Sequence, residues 1–242
     1  MICKKSHFKI THYTYQNPKL GKGLDGCRIA FISDFHSAAY VDEVVSALRD
    51  LSPHMIAITG DLFDRHRPAV SAPAFSLLHR ALTLAPTYFA EGNHERKIES
   101  YPRWRRQMRD MGVRILDNET AIHRLDDAAL RVIGLKDTVG VQTLAHLIRP
   151  AQFNLVLSHR VEKFPLYAQA GADLALCGHA HGGQARPFGI GLYAPQQGPF
   201  PKYTRGVYRQ GPTTMIASAG LGNGTFPRFF NPPELVCVVL LR

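Results

Sequence analysis

A layered α/β fold is the class the sequence predicts, and three observations predict it. Short β-rich apolar runs alternate with helix-length amphipathic segments early in the 242 residues. Later segments are mostly strand-like, ending in the aliphatic run 235–241. No repeat, low-complexity linker or composition break interrupts the chain, so one domain over 1–242 is expected. Strands alternating with helices and then strands alone are what a sheet covered by helices requires.

The elements follow in order. Residues 27–33 (CRIAFIS) are apolar and bounded by Asp25-Gly26 and Asp34, which marks a strand. Residues 41–51 repeat Val41, Val44, Val45 and Leu48 at helical spacing, hence an amphipathic helix. A strand at 55–59, a helix at 71–84 and a strand at 87–90 continue the alternation, with a helix at 101–111 after them. Strands are expected at 113–116, 121–125 and 130–135, a helix at 141–148, and strands at 153–158 and 173–177. Residues 185–208 are rich in Pro and Gly and read as a loop. Strands return at 213–218 and 235–241. The last run has seven residues, far short of a membrane span. The opening MICKKSH is basic with no apolar run behind it, so a cleavable export signal is not expected.

Composition narrows the function. Hydrophobic residues are 45% and charged residues 20%, which is globular rather than disordered. Lys and Arg number 29 against 19 Asp and Glu, a net charge of +10 spread along the chain. A diffuse excess suits an anionic partner: a phosphate ester, nucleic acid or an acidic lipid surface. Plain solubility explains it equally well. Cys3, Cys27, Cys177 and Cys237 are widely spaced and form no Cys-x-x-Cys pair, so free thiols in a reducing compartment are expected.

The chemistry sits where strands end. Asp34-Phe35-His36, Gly60-Asp61, Gly92-Asn93-His94, His159 and Gly178-His179-Ala180-His181 each close an expected strand. In layered α/β folds, ligands collect at those carboxyl ends. With 20 Gly and 12 His in the chain, Gly-Asn-His is expected about 0.02 times by chance and Gly-His-x-His about 0.05 times. Asp-x-His and Gly-Asp are common and mean nothing alone.

In an extended segment residues i and i+2 point the same way, so Asp34 and His36 can reach one metal, and His179 and His181 can face one cleft. Asn93 and His94 are adjacent and should diverge, one to a metal and one to the substrate. Asp61 has two carboxylate oxygens and can bridge two cations. Asp34 and Asp61 supply −2 against +4 from two divalent ions, leaving charge to hold a hydroxide and an anionic phosphate. Two such metals suit in-line displacement at phosphorus.

The ordered set from Asp34 to His181 resembles the calcineurin-like metallophosphoesterase superfamily. The runs 178–184 (GHAHGGQ), 217–224 (ASAGLGNG) and 231–234 (NPPE) resemble a bacterial branch of it. That branch holds cell-envelope phosphodiesterases and some UDP-2,3-diacylglucosamine pyrophosphatases. The resemblance implies a single metallophosphoesterase domain, a four-layer αββα sandwich with a dinuclear metal site at strand ends. It also implies hydrolysis of a phosphodiester, pyrophosphate or phosphomonoester by attack of a metal-bridging hydroxide. Carried over, Asp34, His36 and His181 hold one metal, Asn93, His159 and His179 the other, and Asp61 bridges. His94 becomes the catalytic residue, as general acid or phosphate ligand. Many branch members begin with an anchor or export signal. Without one, a cytoplasmic protein is expected, peripheral at most to the inner membrane surface.

Four imidazoles in the set favour first-row divalent ions (manganese, iron, zinc, nickel or cobalt) over calcium. Arg65 and His66, close behind Asp61, are candidates for substrate contact alongside Asn93 and His94, against the alternative of a solvated charge run. Asp64 is a candidate to orient a histidine, and Glu95 to orient His94. His7, His12, His54, His79, His123 and His146 read as surface or packing residues. Arg103, Arg105, Arg106 and Arg109 beside Trp104 read as the wet face of a helix, with nucleic-acid contact as the alternative. The aromatic-basic segments 200–203 and 226–230 are expected to plug the core, the alternative being an amphiphilic groove or an anionic membrane surface. A nuclease on the same metal core ranks below a small-ester hydrolase, and a non-catalytic scaffold ranks last because no ligand position is missing.

Overall fold

The computed structural model describes residues 6–138, 141–223 and 227–242. Cys3, Gly224 and Phe226 of the runs above lie outside the described residues.

The chain begins with strand β1 (Lys9–Gln16) and strand β2 (Cys27–Ile32), followed by helix α1 (Val41–Leu51) and strand β3 (Met55–Ile58). Helix α2 (Ala72–Leu82), strand β4 (Thr87–Phe89), helix α3 (Tyr101–Asp110) and strand β5 (Arg114–Ile115) complete the first half. Strands β6 (Glu119–Leu125) and β7 (Ala128–Gly134) form a hairpin; helix α4 (Val141–Leu147), strand β8 (Asn154–Arg160), helix α5 (Phe164–Ala170) and strand β9 (Leu174–Gly178) follow. A short ribbon, β10 (Tyr193–Ala194) with β11 (Gly198–Pro199), precedes β12 (Gly206–Gln210), β13 (Thr213–Ala217) and β14 (Glu234–Leu241). Helices α2, α3 and α5 each carry proline in the first turn, where the missing N–H has no helical partner to lose.

Two six-stranded sheets result, ordered β1-β14-β2-β3-β4-β5 and β12-β13-β9-β8-β7-β6. The central strands are apolar on both faces, and their period of two divides the core into layers. Ile29, Phe31, Met55 and Ala57 point inward against Leu155, Leu157, Leu174 and Leu176 of the other sheet. Ala30, Ile32, Ile56 and Ile58 point outward, under Val44, Leu48, Leu77 and Leu78 of α1 and α2. Val156, Ala175 and Met215 back the second sheet against Leu144 of α4 and Phe164 and Tyr167 of α5. Helix, sheet, sheet, helix is the αββα order expected.

Five of these elements, β1, α5, β10, β11 and β12, escape the sequence reading. Strand β1 lies at a sheet edge, exposed along most of its length, so it lacks the apolar signature of its neighbours. Helix α5 has seven residues, too few for a clear helical period. The loop expected over 185–208 contains the β10–β11 ribbon and the start of β12, whose pairing to β13 the apolar pattern of that half-exposed strand does not reveal.

Candidate metal centre

The strand ends of both sheets open into one cleft of about 390 Å³, whose lining includes Asp61, Asn93, His94, His179 and His181. Its floor is built by loops that pack at such close range that no Cβ fits, which explains the glycines of the motifs. A Cβ on Gly178 would run into Ser33 Oγ and lie 2.5 Å from Asp34 Oδ2; one on Gly92 would lie 2.5 Å from the Asp61 amide nitrogen. The Glu95 carboxylate ties two of these loops together by accepting the N–H groups of Asp61 (2.9 Å), Phe63 (3.1 Å) and Gly92 (3.0 Å). Glu95 therefore organises backbone, not the His94 ring expected of it. Asp34 accepts the His179 N–H at 3.0 Å and the Ser33 hydroxyl at 2.6 Å, joining the ends of β2 and β9.

Asp34, His36, Asp61, His179 and His181 all have positive φ, between 46° and 72°. They stand beyond their strands, in turns. Turn geometry, not the extended i, i+2 alignment expected, aims these side chains, although Asp34 and His36 still share one group and His179 and His181 still line one cleft. His179 and His181 accordingly separate. Ligand atoms of Asp34, His36 and His181 lie within 4.8 Å of one another, and those of Asp61, His159 and His179 form a second such group. His36 also groups with Asp64 and His94.

Hydrogen bonds aim the rings. His159 Nδ1–H donates to the Thr59 carbonyl at 2.8 Å, which turns Nε2 towards Asp61 Oδ2, 3.2 Å away, and towards His179 Nδ1 at 3.0 Å. His36 Nε2 and His181 Nε2 are 3.4 Å apart, and the latter is 3.4 Å from Asp34 Oδ1. The outer nitrogen of His179 meets Gln196 Oε1 and lies 2.8 Å from Arg160 Nη1. Only an Nε2–H donating to Gln196 leaves His179 Nδ1 bare towards Asp61 and His159. Arg160 donates to the same Gln196 oxygen at 2.7 Å and is clamped on Asp137, which also takes Arg96 Nη1 at 3.0 Å. At His94 the order is reversed. Its Nδ1 accepts the Arg65 N–H at 3.1 Å, so the proton sits on Nε2, 3.8 Å from Asp61 Oδ2 at the cleft.

Electrostatics draw positive charge to the same point. Burial works against ionised Asp61, but His159 and its other imidazole neighbours hold the carboxyl well below its usual range. Burial likewise opposes protonated His159, yet Asp61 raises it to about 10. Burial pushes Asp34 up to about 6 and His36 down to about 4; burial and then His159 lower His179 to about 3. Burial also lowers His94, against the pull of Asp61. Asn93 Oδ1 and His36 Nδ1 are buried with no hydrogen-bond partner. Two groups of imidazole and carboxylate donors, with a spare amide oxygen between elements, fit a pair of first-row divalent cations.

Of the four expected substrate contacts, Arg65, Asn93 and His94 line the cleft, while His66 is exposed and packs edge-on against His94 with ring centroids 5.5 Å apart. Asp64 lies 3.5 Å from His94 Nδ1 and pairs with Arg67. Among the Arg103–Arg109 cations, Arg105 is paired with Asp117 and Trp104 packs on the outer core. Cys27, Cys177 and Cys237 are buried free thiols. Asp137, Arg160 and Gln196 are the site residues that sequence reasoning missed.

Residues 27–183 match the sequence model for calcineurin-like phosphoesterases. The chain is 29% identical to an uncharacterized metallophosphoesterase of Campylobacter jejuni, covering 92% of this chain and 60% of that protein. It is 26% identical to phosphodiesterase YaeI of Escherichia coli over 88% of this chain and 82% of that one. Among solved structures, TT1561 of Thermus thermophilus has a TM-score of 0.56 at 14% identity, covering 81% of this chain and 90% of that chain. The sulfate thiohydrolase SoxB of Thermus thermophilus has a TM-score of 0.59 at 12% identity, covering 90% and 57%. Both share the fold.

Proposed function

Because the chain belongs to the calcineurin-like phosphoesterase family, and is thereby a metal-dependent hydrolase of phosphate esters, we propose that it cleaves a phosphodiester or pyrophosphate linkage, with monoesters as poorer substrates. The observation that carries this reading is the convergence of two ligand groups and the His94 Nε2–H on one cleft rimmed by Arg65, Arg96, Lys97 and Arg160. In this reading Asp34, His36 and His181 hold one cation, Asn93, His159 and His179 hold the other, and Asp61 is shared. When bound, two divalent cations supply Lewis acidity to the phosphoryl oxygens and activate a water nucleophile at neutral pH.

The chain's own residues do the rest. Cationic rim side chains draw in the anionic ester and orient its non-reacting groups. His94 donates Nε2–H to a phosphoryl oxygen and stabilises charge as the bond to the leaving group lengthens. An imidazolium would set a second N–H against the Arg65 N–H, which favours the charge-stabilising role over the general-acid role. Gln196 fixes the His179 tautomer, and Asp137 holds Arg160 against Gln196.

A cleft of about 390 Å³ suits a compact ester group. The +10 charge keeps a nuclease as the second reading, marked by steep salt dependence of binding. The whole chain, 1–242, acts as one domain in this proposal. Elemental analysis of the purified protein, coupled to hydrolysis of bis-p-nitrophenyl phosphate and p-nitrophenyl phosphate, tests it. Bound transition metal and faster diester hydrolysis are expected. Absence of transition metal, with hydrolysis untouched by chelators, overturns the metal-dependent reading.

A further inference from the structure

Among the described residues, eleven large hydrophobic side chains are exposed, and seven of them crowd into 188–200 and 229–230. Phe188 is fully exposed, Phe230 is 84% and Phe200 is 75% exposed. The expectation of core plugging is therefore overturned for Phe200, Phe229 and Phe230, while Tyr203 does pack into the core.

The two segments form one face. Arg186 N–H donates to the Phe229 carbonyl at 2.9 Å, and Phe200 N–H to the Leu192 carbonyl at 2.9 Å. Arg186 is itself anchored on Gly182 O at 2.7 Å and Thr204 Oγ1 at 2.9 Å. The backbone is thus fastened while the rings project. Phe188, Phe200 and Phe230 hold φ of 52°, 49° and 54°, a region in which a bulky residue is strained and glycine is not. No burial within the molecule offsets that strain.

Charge adds an independent observation. Residues 174–233 contain no Asp or Glu, but carry Arg186, Lys202, Arg205, Arg209 and Arg228. Lys202, inside the first of these loops, is exposed. A face of aromatic rings and cations without carboxylates complements an anionic lipid interface. A second copy of the same face would bring like charges together.

We infer that the loops 186–203 and 227–230 dock the protein on an anionic bilayer, with the rings in the headgroup boundary and Lys202 against anionic headgroups. Tyr193, Pro195 and Gln196 of the same loop line the metal-site cleft, so docking brings that cleft to the membrane surface. The substrate class that follows, a phosphate ester carried by a lipid headgroup, rests on the hydrolytic reading above. Docking itself does not. No helix among the described residues is long and apolar enough to cross a membrane, so the contact is peripheral.

Cosedimentation of the full chain with phosphatidylcholine vesicles, with and without phosphatidylglycerol, tests the inference at low salt. Binding only to the anionic vesicles is expected. The Phe188→Ser, Phe230→Ser chain should lose at least about tenfold in partition, and Lys202→Glu about fivefold or more. Both should hydrolyse soluble bis-p-nitrophenyl phosphate at the unaltered rate. Wild-type protein that stays in the supernatant, or a ring variant that binds as wild type, overturns the docking surface. So does a dimer in sedimentation velocity that the ring variant loses while vesicles are ignored, which would assign the face to a second copy. Vesicle binding as expected in a chain that hydrolyses no ester supports docking and removes only the hydrolytic reading.

Discussion

The floor of the cleft and its aromatic rim use the same unusual backbone conformation in opposite surroundings. Asp34, His36, Asp61, His179 and His181 hold positive φ while buried; Phe188, Phe200 and Phe230 hold it in solvent. On the floor, the conformation is over-determined by close contacts with neighbouring loops that leave no space for a Cβ on Gly92 or Gly178, and by three N–H groups on Glu95. At the rim, Gly189 and Gly198 have open space around them. Strain persists only where surrounding structure enforces it or a function uses it. The floor meets the first condition by packing; the rim lacks that packing, which is why its aromatics point to something outside the molecule.

The largest expected effect breaks the floor. Asp61→Ala removes the carboxylate that draws positive charge to the centre and accepts the His94 N–H at 2.8 Å. Diester hydrolysis should fall by at least ~10³-fold, about 4 kcal/mol of barrier, with metal lost in elemental analysis. Retained metal and activity would end the proposed ligand set. Next comes His94→Ala, expected to cost about 10²-fold on p-nitrophenyl and alkyl esters alike, with metal content kept. A much larger loss on the alkyl ester would restore the general-acid role. Gln196→Ala sharpens the contrast from the rim side, because this residue reaches the floor through His179. Metal affinity by titration should weaken about 10- to 100-fold, and Gln196→Glu, which keeps the acceptor, should recover part of it. The smallest effects compare the glycines directly. Gly178→Ala should cost about 1–3 kcal/mol through overpacking, lowering Tm by roughly 2–4 °C per kcal/mol. Gly189→Ala, at φ +81° with nothing within 4 Å, pays only for its conformation and should cost about 1 kcal/mol. Equal Tm shifts in the two would erase the distinction between floor and rim.

The alternation of strands and helices was legible because the central strands are apolar on both faces. Ile29 to Ile32 serve two cores at once, so they appear as unbroken apolar runs. The edge strands β1 and β12 face solvent along much of their length and carry no such mark. Asp34, His36, Asp61, Asn93, His94, His159, His179 and His181 were legible as candidates because their residue types recur at strand ends. Their grouping came from the family resemblance and not from spacing. Whether His179 joins Asp61 or Asp34 depends on turn dihedrals, which period-two reasoning does not contain. Asp137, Arg160 and Gln196 come from three separate segments and meet only through side-chain contacts, so no local pattern announces them. The exposed phenylalanines illustrate the converse: residue type alone suggested burial, and only the loop path turned them outward.

The position of β14 has a consequence for how the protein is made. It lies between β1 and β2, pairing Val236 with Phe31, although about 200 residues separate them in the chain. During synthesis β2 therefore emerges long before its partner on that side, with a bare apolar edge and a polypeptide still growing behind it. Contacts so distant form slowly, and an unpaired strand edge invites pairing with another chain. The nascent protein thus passes through an interval in which the edge of β2 waits unpaired for β14 to close the sheet.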